Sequence, residues 1–148
     1  MINLQNVLDM WEEDCKIDSR DLSKDGITCA LMHSKYLNIY TQAKLELTNH
    51  EMKQKILLKK KWLYYNGKMD EKEIDSLGWE YDPFQGLKIL KTDMDKYYDS
   101  DPDIQKSEEL IQYYKTIIET LREIMDNIKW RSQTIKNMIE WRKFERGE

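Results

Sequence analysis

A cluster of lysines and aromatic residues in the middle of the chain has the chemistry of a ligand-binding site. The stretch KILLKKKWLYYNGK, Lys55 to Lys68, holds five lysines, one tryptophan and two tyrosines but no carboxylate, in a chain of formal net charge −4. Lysines neutralise backbone phosphates and aromatic rings stack on bases, and single-stranded nucleic acid is bound by this combination. The stretch therefore predicts a nucleic-acid site. The alternative is a solvated helix face, although such a face normally mixes charges of both signs.

Helical geometry places four of these eight side chains, together with Lys53, in one cationic strip. On a wheel of about 100° per residue they fall within an arc of roughly 100° if the helix reaches residue 68. The strip consists of Lys53, Lys60, Lys61, Tyr64 and Lys68. We predict that its lysines contact phosphates and that Tyr64 or the neighbouring Tyr65 stacks on bases.

Motifs for catalysis and for metal binding are missing from the sequence. It contains no glycine-rich phosphate loop, no GxSxG and no HExxH. Cys29 and His33 are four residues apart, but Cys15 and His50 do not supply the paired spacing of a zinc site. The acidic run DMDKYYDSDPD lacks the glycine and the glutamate of a calcium loop. We predict no catalytic residue, no metal and no cofactor, and we interpret both cysteines as reduced, buried small hydrophobic residues.

Five glycines and two prolines leave little room for hairpins, so the composition predicts an all-α protein. The apolar spacing predicts a short helix over the first dozen or so residues, a second over about 22–40 with Asp18 or Ser19 as its cap, and a third over about 42–65. Asn66 and Gly67 are expected to end the third helix. Its predicted buried face consists of Leu45, Met52, Ile56 and Leu63.

An irregular segment, residues 66–101, is expected to follow these helices. It holds three of the five glycines, and its LKIL piece could form a strand or a turn of helix. Its acidic residues could fold back over the cationic strip when no ligand is present.

A long amphipathic helix is predicted at the C-terminus, with Asp101 as its cap and Pro102 at its first position. A helix of 44 residues would be about 66 Å long, whereas a compact chain of this size is roughly 38 Å across. We therefore expect its apolar stripe to contact other copies in a homo-oligomeric ring, with an intramolecular bundle helix as the alternative. The predicted oligomerisation residues are Leu110, Ile111, Tyr114, Ile117, Ile118, Leu121, Ile124, Met125, Ile128, Ile135, Met138 and Ile139. The stripe is broken near Arg131 and Ser132, where we expect a bend or phase shift.

Five short motifs, taken together and in order, resemble the UvsY family of T4-type phage recombination mediators. They are IDSRDL at 17–22, SKYLN at 34–38, KKKWLYYNG at 59–67, LKILKTDMD at 87–95 and IEWRKFERG at 139–147. Residues 68–83 match least. The resemblance implies a protein that is not an enzyme and that binds single-stranded DNA as a closed ring of six or seven subunits. It also implies that Lys59 and Lys61 stand at positions that matter for DNA binding.

The predicted partners follow from the same resemblance: single-stranded DNA, further copies of this chain, the phage recombinase and the phage single-strand DNA-binding protein. Residues 1–100 would form the DNA-binding domain, with 66–101 as connector, and residues 102–148 the oligomerisation helix. No run of 18 apolar residues and no secretory signal is present. We expect no membrane association and a location in the cytoplasm of the infected bacterial host. Two alternatives are a coiled-coil adaptor or scaffold that binds only protein, and a small helical enzyme with an unfamiliar carboxylate site.

Overall fold

Two helices of 44 residues each make up more than half of the chain. The structure is a computed structural model that describes residues 1–18 and 20–148. Its elements are α1 (Leu4–Asp14), α2 (Leu22–Tyr65), α3 (Glu71–Leu77), a 3-10 turn (Lys91–Asp93), α4 (Met94–Asp99) and α5 (Pro102–Glu145). No strand occurs among the described residues, and none of the helices there is long and apolar enough to cross a membrane. The all-α prediction is confirmed.

Helix α2 is a single helix, so the prediction of separate helices over 22–40 and 42–65 was wrong. The sequence around residue 41 contains no glycine or proline, and nothing there interrupts the hydrogen bonding of a helix. The Asp21 carboxylate accepts the amide of Lys24 at 3.1 Å and therefore caps the first turn instead of the predicted Asp18. The other predicted cap, Ser19, lies outside the described residues.

The predicted end of α2 and the predicted start of α5 are both confirmed. Gly67 has a φ of 68°, and the amide of Lys68 donates to the carbonyl of Leu63 at 2.9 Å, which closes the helix in a Schellman turn. At the start of α5, Asp101 Oδ1 accepts the amides of Asp103 and Ile104 at 2.9 and 3.1 Å. Both ends follow from residues that satisfy free backbone groups locally.

The chain divides into two compact units. Unit 1 contains residues 1–46 and 114–148, and unit 2 contains residues 47–113. This division differs from the predicted boundary between residues 100 and 102, because α2 and α5 each contribute to both units.

The core of unit 1 uses a face of α2 that the sequence pattern did not identify. Leu22, Cys29, Tyr36 and Ala43 are buried at intervals of seven residues, and Ile135 of α5 packs in one cluster with Leu22 and Cys29. The predicted face was wrong for three of its residues, which are exposed to solvent: Leu45, Met52 and Ile56. Cysteine, tyrosine and alanine are less hydrophobic than leucine or isoleucine. The helical wheel therefore assigned the buried face to the side that carries the more hydrophobic residues.

Helix α1 is fixed in unit 1 by polar contacts at its C-terminus. The Asp14 carboxylate accepts the Tyr36 hydroxyl at 2.8 Å, and the buried Arg131 donates to the carbonyls of Cys15 and Lys16 at 2.6 and 2.7 Å. Arg131 thus interrupts the apolar stripe in order to satisfy free carbonyls after α1, and α5 remains helical through this position. The prediction of buried cysteines holds for Cys29 but was wrong for Cys15, which is exposed.

Most of the predicted oligomerisation residues are already buried within the single chain. The buried ones are Ile111, Tyr114, Ile117, Ile118, Leu121, Ile124, Ile128 and Ile135. Leu110, Met125 and Met138 are half-buried, and Ile139 is exposed. The premise that α5 is too long to be covered by its own chain was wrong for residues 111–135, where eight of the twelve predicted residues are buried within the single chain.

Candidate nucleic-acid interface

The last turns of α2 carry four lysines that reach solvent, called the lysine row here although they span about 160° of the helix circumference. Lys53, Lys55 and Lys59 are exposed and Lys60 is half-buried. None of these four has a carboxylate within salt-bridge distance among the described residues. Their positive charge is therefore available to an anionic ligand.

Lys61 does not belong to this exposed row, although it was predicted to contact DNA. Its side chain is 4% exposed, and its Nζ lies 2.9 Å from Asp101 Oδ2 and 2.9 Å from Asp103 Oδ2. The same ammonium group lies 3.8 Å from the ring centroid of Trp79. Within this structure Lys61 is a buried partner of two carboxylates and cannot reach a phosphate. Of the acidic residues in 66–101, Asp101 lies against the cationic strip at this one lysine.

The two tyrosines predicted to stack on bases are also buried. Tyr64 and Tyr65 form the centre of the unit 2 core with Met69 and Ile74. The Tyr65 hydroxyl donates to Asp101 Oδ2 at 2.6 Å, and the Tyr64 hydroxyl donates to the carbonyl of Glu80. Burial, followed by the hydrogen bond to Asp101, raises the pKa of Tyr65 well above its ordinary value. Both rings are core residues, so the prediction that they are stacking platforms is not supported by their position.

The segment predicted as an irregular connector supplies the rest of this core. Beyond the short helices α3 and α4, the LKIL piece at 87–90 forms neither a strand nor a helix. Trp79 lies 5.0 Å from Tyr64 between ring centroids, while Phe84 and Tyr98 lie 6.0 and 5.3 Å from Tyr65. Residues 66–101 therefore pack around the end of α2 instead of forming a loose linker.

Asp101 links the end of α2 to the start of α5 through both oxygens of its carboxylate. Oδ1 caps α5, and Oδ2 accepts from Lys61 and Tyr65. Burial alone raises the pKa of Asp101, but the hydrogen bonds from Tyr65, Lys61 and the amide of Ile104 outweigh burial and hold the pKa below its ordinary value. The carboxylate therefore stays ionised while it is buried.

Trp62 is the aromatic residue of the KKKWLYYNG motif that remains accessible, and it was not among the predicted DNA-binding residues. Its side chain is 47% exposed, and Lys68 Nζ lies 4.6 Å from its ring centroid. The side-chain amide of Asn66 donates to the Trp62 carbonyl at 2.7 Å and fixes the turn between them. The wheel missed Trp62 because at 100° per residue it lies about 150° from the centre of the cationic strip.

The structure combines exposed lysines that no described carboxylate opposes with an exposed indole on a helical scaffold. These are the features of a helical nucleic-acid-binding protein. A model of the family described as "Recombination, repair and ssDNA binding protein UvsY" matches residues 10–148. The chain therefore belongs to the UvsY family.

Similar proteins match along almost the whole chain. The recombination protein uvsY of Enterobacteria phage T4 is 26% identical over 147 residues, which are 99% of this chain and 100% of that protein. A crystal structure of the bacteriophage T4 recombination mediator protein UvsY in lattice type II has a TM-score of 0.83 at 26% identity and covers 98% of each chain. The lattice type IV structure has a TM-score of 0.80 at 25% identity and covers 97% of this chain and 99% of that one.

Proposed function

We propose that this chain is a phage recombination mediator that binds single-stranded DNA as a homo-oligomeric ring. In this role it promotes loading of the phage recombinase onto DNA covered by the single-strand DNA-binding protein, in the cytoplasm of the infected host. The carrying observation is the lysine row Lys53, Lys55, Lys59 and Lys60, which no described carboxylate neutralises, in a member of a family described as single-strand binding.

The predicted DNA-binding residues fall into two groups with different roles. Lys53, Lys59, Lys60 and Lys68 are accessible, so we assign them to phosphate contacts. Lys61, Tyr64 and Tyr65 are buried, so we assign them to positioning the end of α2. These three affect DNA binding through the folded shape of unit 2 and not through contact.

Self-association is supported by large apolar side chains that α2 leaves in solvent. In unit 1, Leu45 is 68% exposed, and in unit 2 Met52 and Ile56 are 61% and 60% exposed. Clusters of exposed apolar side chains on a folded chain commonly mark a contact with another protein. We propose that a second copy of this chain covers them, so the ring interface lies mainly on α2. A ring of six or seven copies would repeat the lysine row, and several weak sites then act together on one strand.

The first test measures DNA binding as a function of salt. Fluorescence anisotropy of a labelled single-stranded oligonucleotide gives the slope of log K against log salt for the wild type and for Lys59→Ala combined with Lys60→Ala. Loss of two phosphate contacts flattens the slope by about 1.4 for each subunit engaged. Lys115→Ala combined with Lys129→Ala is the matched control, because both lysines are exposed on α5. An absence of wild-type binding at low salt would favour the protein-only adaptor.

The second test addresses loading. A long single strand is covered with labelled single-strand DNA-binding protein, and its replacement by recombinase is followed with and without this chain. A mediator accelerates the replacement, and the Lys59→Ala, Lys60→Ala variant accelerates it less. An equal rate with and without the chain would contradict the mediator role.

A further inference from the structure

We propose that Trp62 and Lys68 form a base-stacking subsite next to Lys55 and Lys59 of the lysine row, which takes an unpaired nucleobase together with an adjoining backbone phosphate. This inference rests on the proposed single-strand binding. It replaces the predicted stacking residues Tyr64 and Tyr65, which are buried.

Trp62 presents an accessible aromatic ring. Trp79 is half-buried and has Lys61 Nζ 3.8 Å from its ring centroid, while Phe84 packs against Tyr97 at 4.9 Å within the aromatic core. Trp62 belongs to the same unit but leaves nearly half of its side chain in solvent. An aromatic face in solvent can accept any base, because every base has a π face.

Lysines flank Trp62 on both sides along the chain. Lys59 precedes Trp62 by three residues and Lys55 by seven, so both lie on its side of the helix. Gly67 adopts a left-handed conformation that a residue with a Cβ rarely adopts, and it turns the chain so that Lys68 returns to the indole. A nucleotide whose base stacks on Trp62 would therefore have lysine ammonium groups near the phosphates on both of its sides.

Hydrogen bonds in the turn after α2 hold Lys68 beside Trp62. The Schellman bond from the amide of Lys68 to the carbonyl of Leu63 and the bond from Asn66 to the Trp62 carbonyl fix the residues on both sides of Gly67. A cation over an indole is attracted to its face, so Lys68 is held beside the ring before any ligand arrives. The exposed Lys68 can then exchange the ring for a phosphate when a base stacks.

The test compares Trp62→Ala, Trp62→Phe and the control Trp130→Ala, a tryptophan that is 67% exposed in unit 1. Trp62→Ala should weaken binding of a short oligothymidylate by about five- to 150-fold, because stacking of one base is worth that factor. Because stacking depends little on salt, the slope of log K against log salt should not change. Trp62→Phe should keep most of the affinity, and Trp130→Ala should bind like the wild type.

Tryptophan fluorescence provides a readout that a structural role would not move. Oligothymidylate should quench the wild-type emission through the stacked indole, and Trp62→Phe should bind without that quenching. Lys68→Ala should flatten the salt slope by about 0.7 for each subunit engaged. Unchanged affinity of Trp62→Ala, or undiminished quenching in Trp62→Phe, would overturn the subsite while wild-type binding still supported the proposed function.

Discussion

Replacing Lys61 with alanine is expected to destabilise the protein strongly, whereas replacing the neighbouring Lys59 is not. The Lys61 and Asp101 side chains are 4% and 2% exposed and their charged atoms lie 2.9 Å apart. Removal of one partner from a buried ion pair leaves the other charge uncompensated and costs about 3–5 kcal/mol. Asp103 adds less to this figure because half of its side chain is in solvent. Lys59 is exposed, so Lys59→Ala should change the free energy of unfolding by no more than about 0.5 kcal/mol.

Urea unfolding followed by far-UV circular dichroism measures this difference at one fixed protomer concentration, since assembly makes stability depend on concentration. In thermal unfolding a loss of 3–5 kcal/mol corresponds to a fall in Tm of about 6–20 °C for a chain of this size. Lys61→Met combined with Asp101→Asn is the control. Asparagine caps a helix as well as aspartate does, and the double variant leaves no buried charge, so part of the lost stability should return.

The opposite result is also informative. If Lys61→Ala unfolds at the wild-type urea midpoint and instead flattens the salt slope of DNA binding by about 0.7 per engaged subunit, Lys61 is a phosphate ligand. In that case the ion pair with Asp101 opens in the functional state, and the assignment of Lys61 to a positioning role is refuted.

Two further predictions concern acid stability and assembly. The pKa of Asp101 is lowered in the folded chain, so the stability that its carboxylate contributes is complete above the unfolded-state pKa of about 3.9 and is lost as the pH falls through the lower folded pKa. Urea midpoints measured from neutral pH to about pH 3 should therefore fall less for Asp101→Asn than for the wild type. Parallel curves for the two proteins would contradict this. Leu121 is completely buried, so Leu121→Asp should unfold unit 1. Leu45 and Ile56 are exposed, so Leu45→Asp or Ile56→Asp should keep the helical circular dichroism signal but lower the oligomer mass in analytical ultracentrifugation. The proposed α2 interface would be refuted in favour of α5 if Leu121→Asp gave a folded monomer. It would also be refuted if both α2 variants kept the full oligomer mass.

The features that could be predicted from the sequence are those that depend on local chemistry. The scarcity of glycine and proline indicated helices, Gly67 marked the end of α2, and Asp101 with Pro102 marked the start of α5. Each of these signals acts within a few residues of its own position, through backbone conformation or a free amide. They are therefore visible without knowledge of the rest of the fold.

The partners of each helix face could not be predicted in the same way. Helix α2 has apolar residues on two sides, and the weaker side, with Cys29, Tyr36 and Ala43, is the buried one in unit 1. The choice depends on which segment packs against α2, and that segment is α5, which begins 80 residues after α2 does. The same dependence on distant residues explains why the apolar stripe of α5 was assigned to neighbouring subunits.

The cationic cluster shows why a charge pattern and a binding surface are different things. A wheel diagram groups Lys60 with Lys61 in one strip, but Asp101, forty residues after Lys61, neutralises Lys61 and leaves Lys59 and Lys60 without a described partner. A substitution at Lys61 would lower DNA affinity by disturbing the end of α2 even if Lys61 never touched a phosphate. Loss of binding alone therefore cannot assign a contact in this cluster. A contact is assigned by a flatter salt slope in a variant with unchanged stability, and the exposed lysines and Trp62 are the positions where the two measurements should separate.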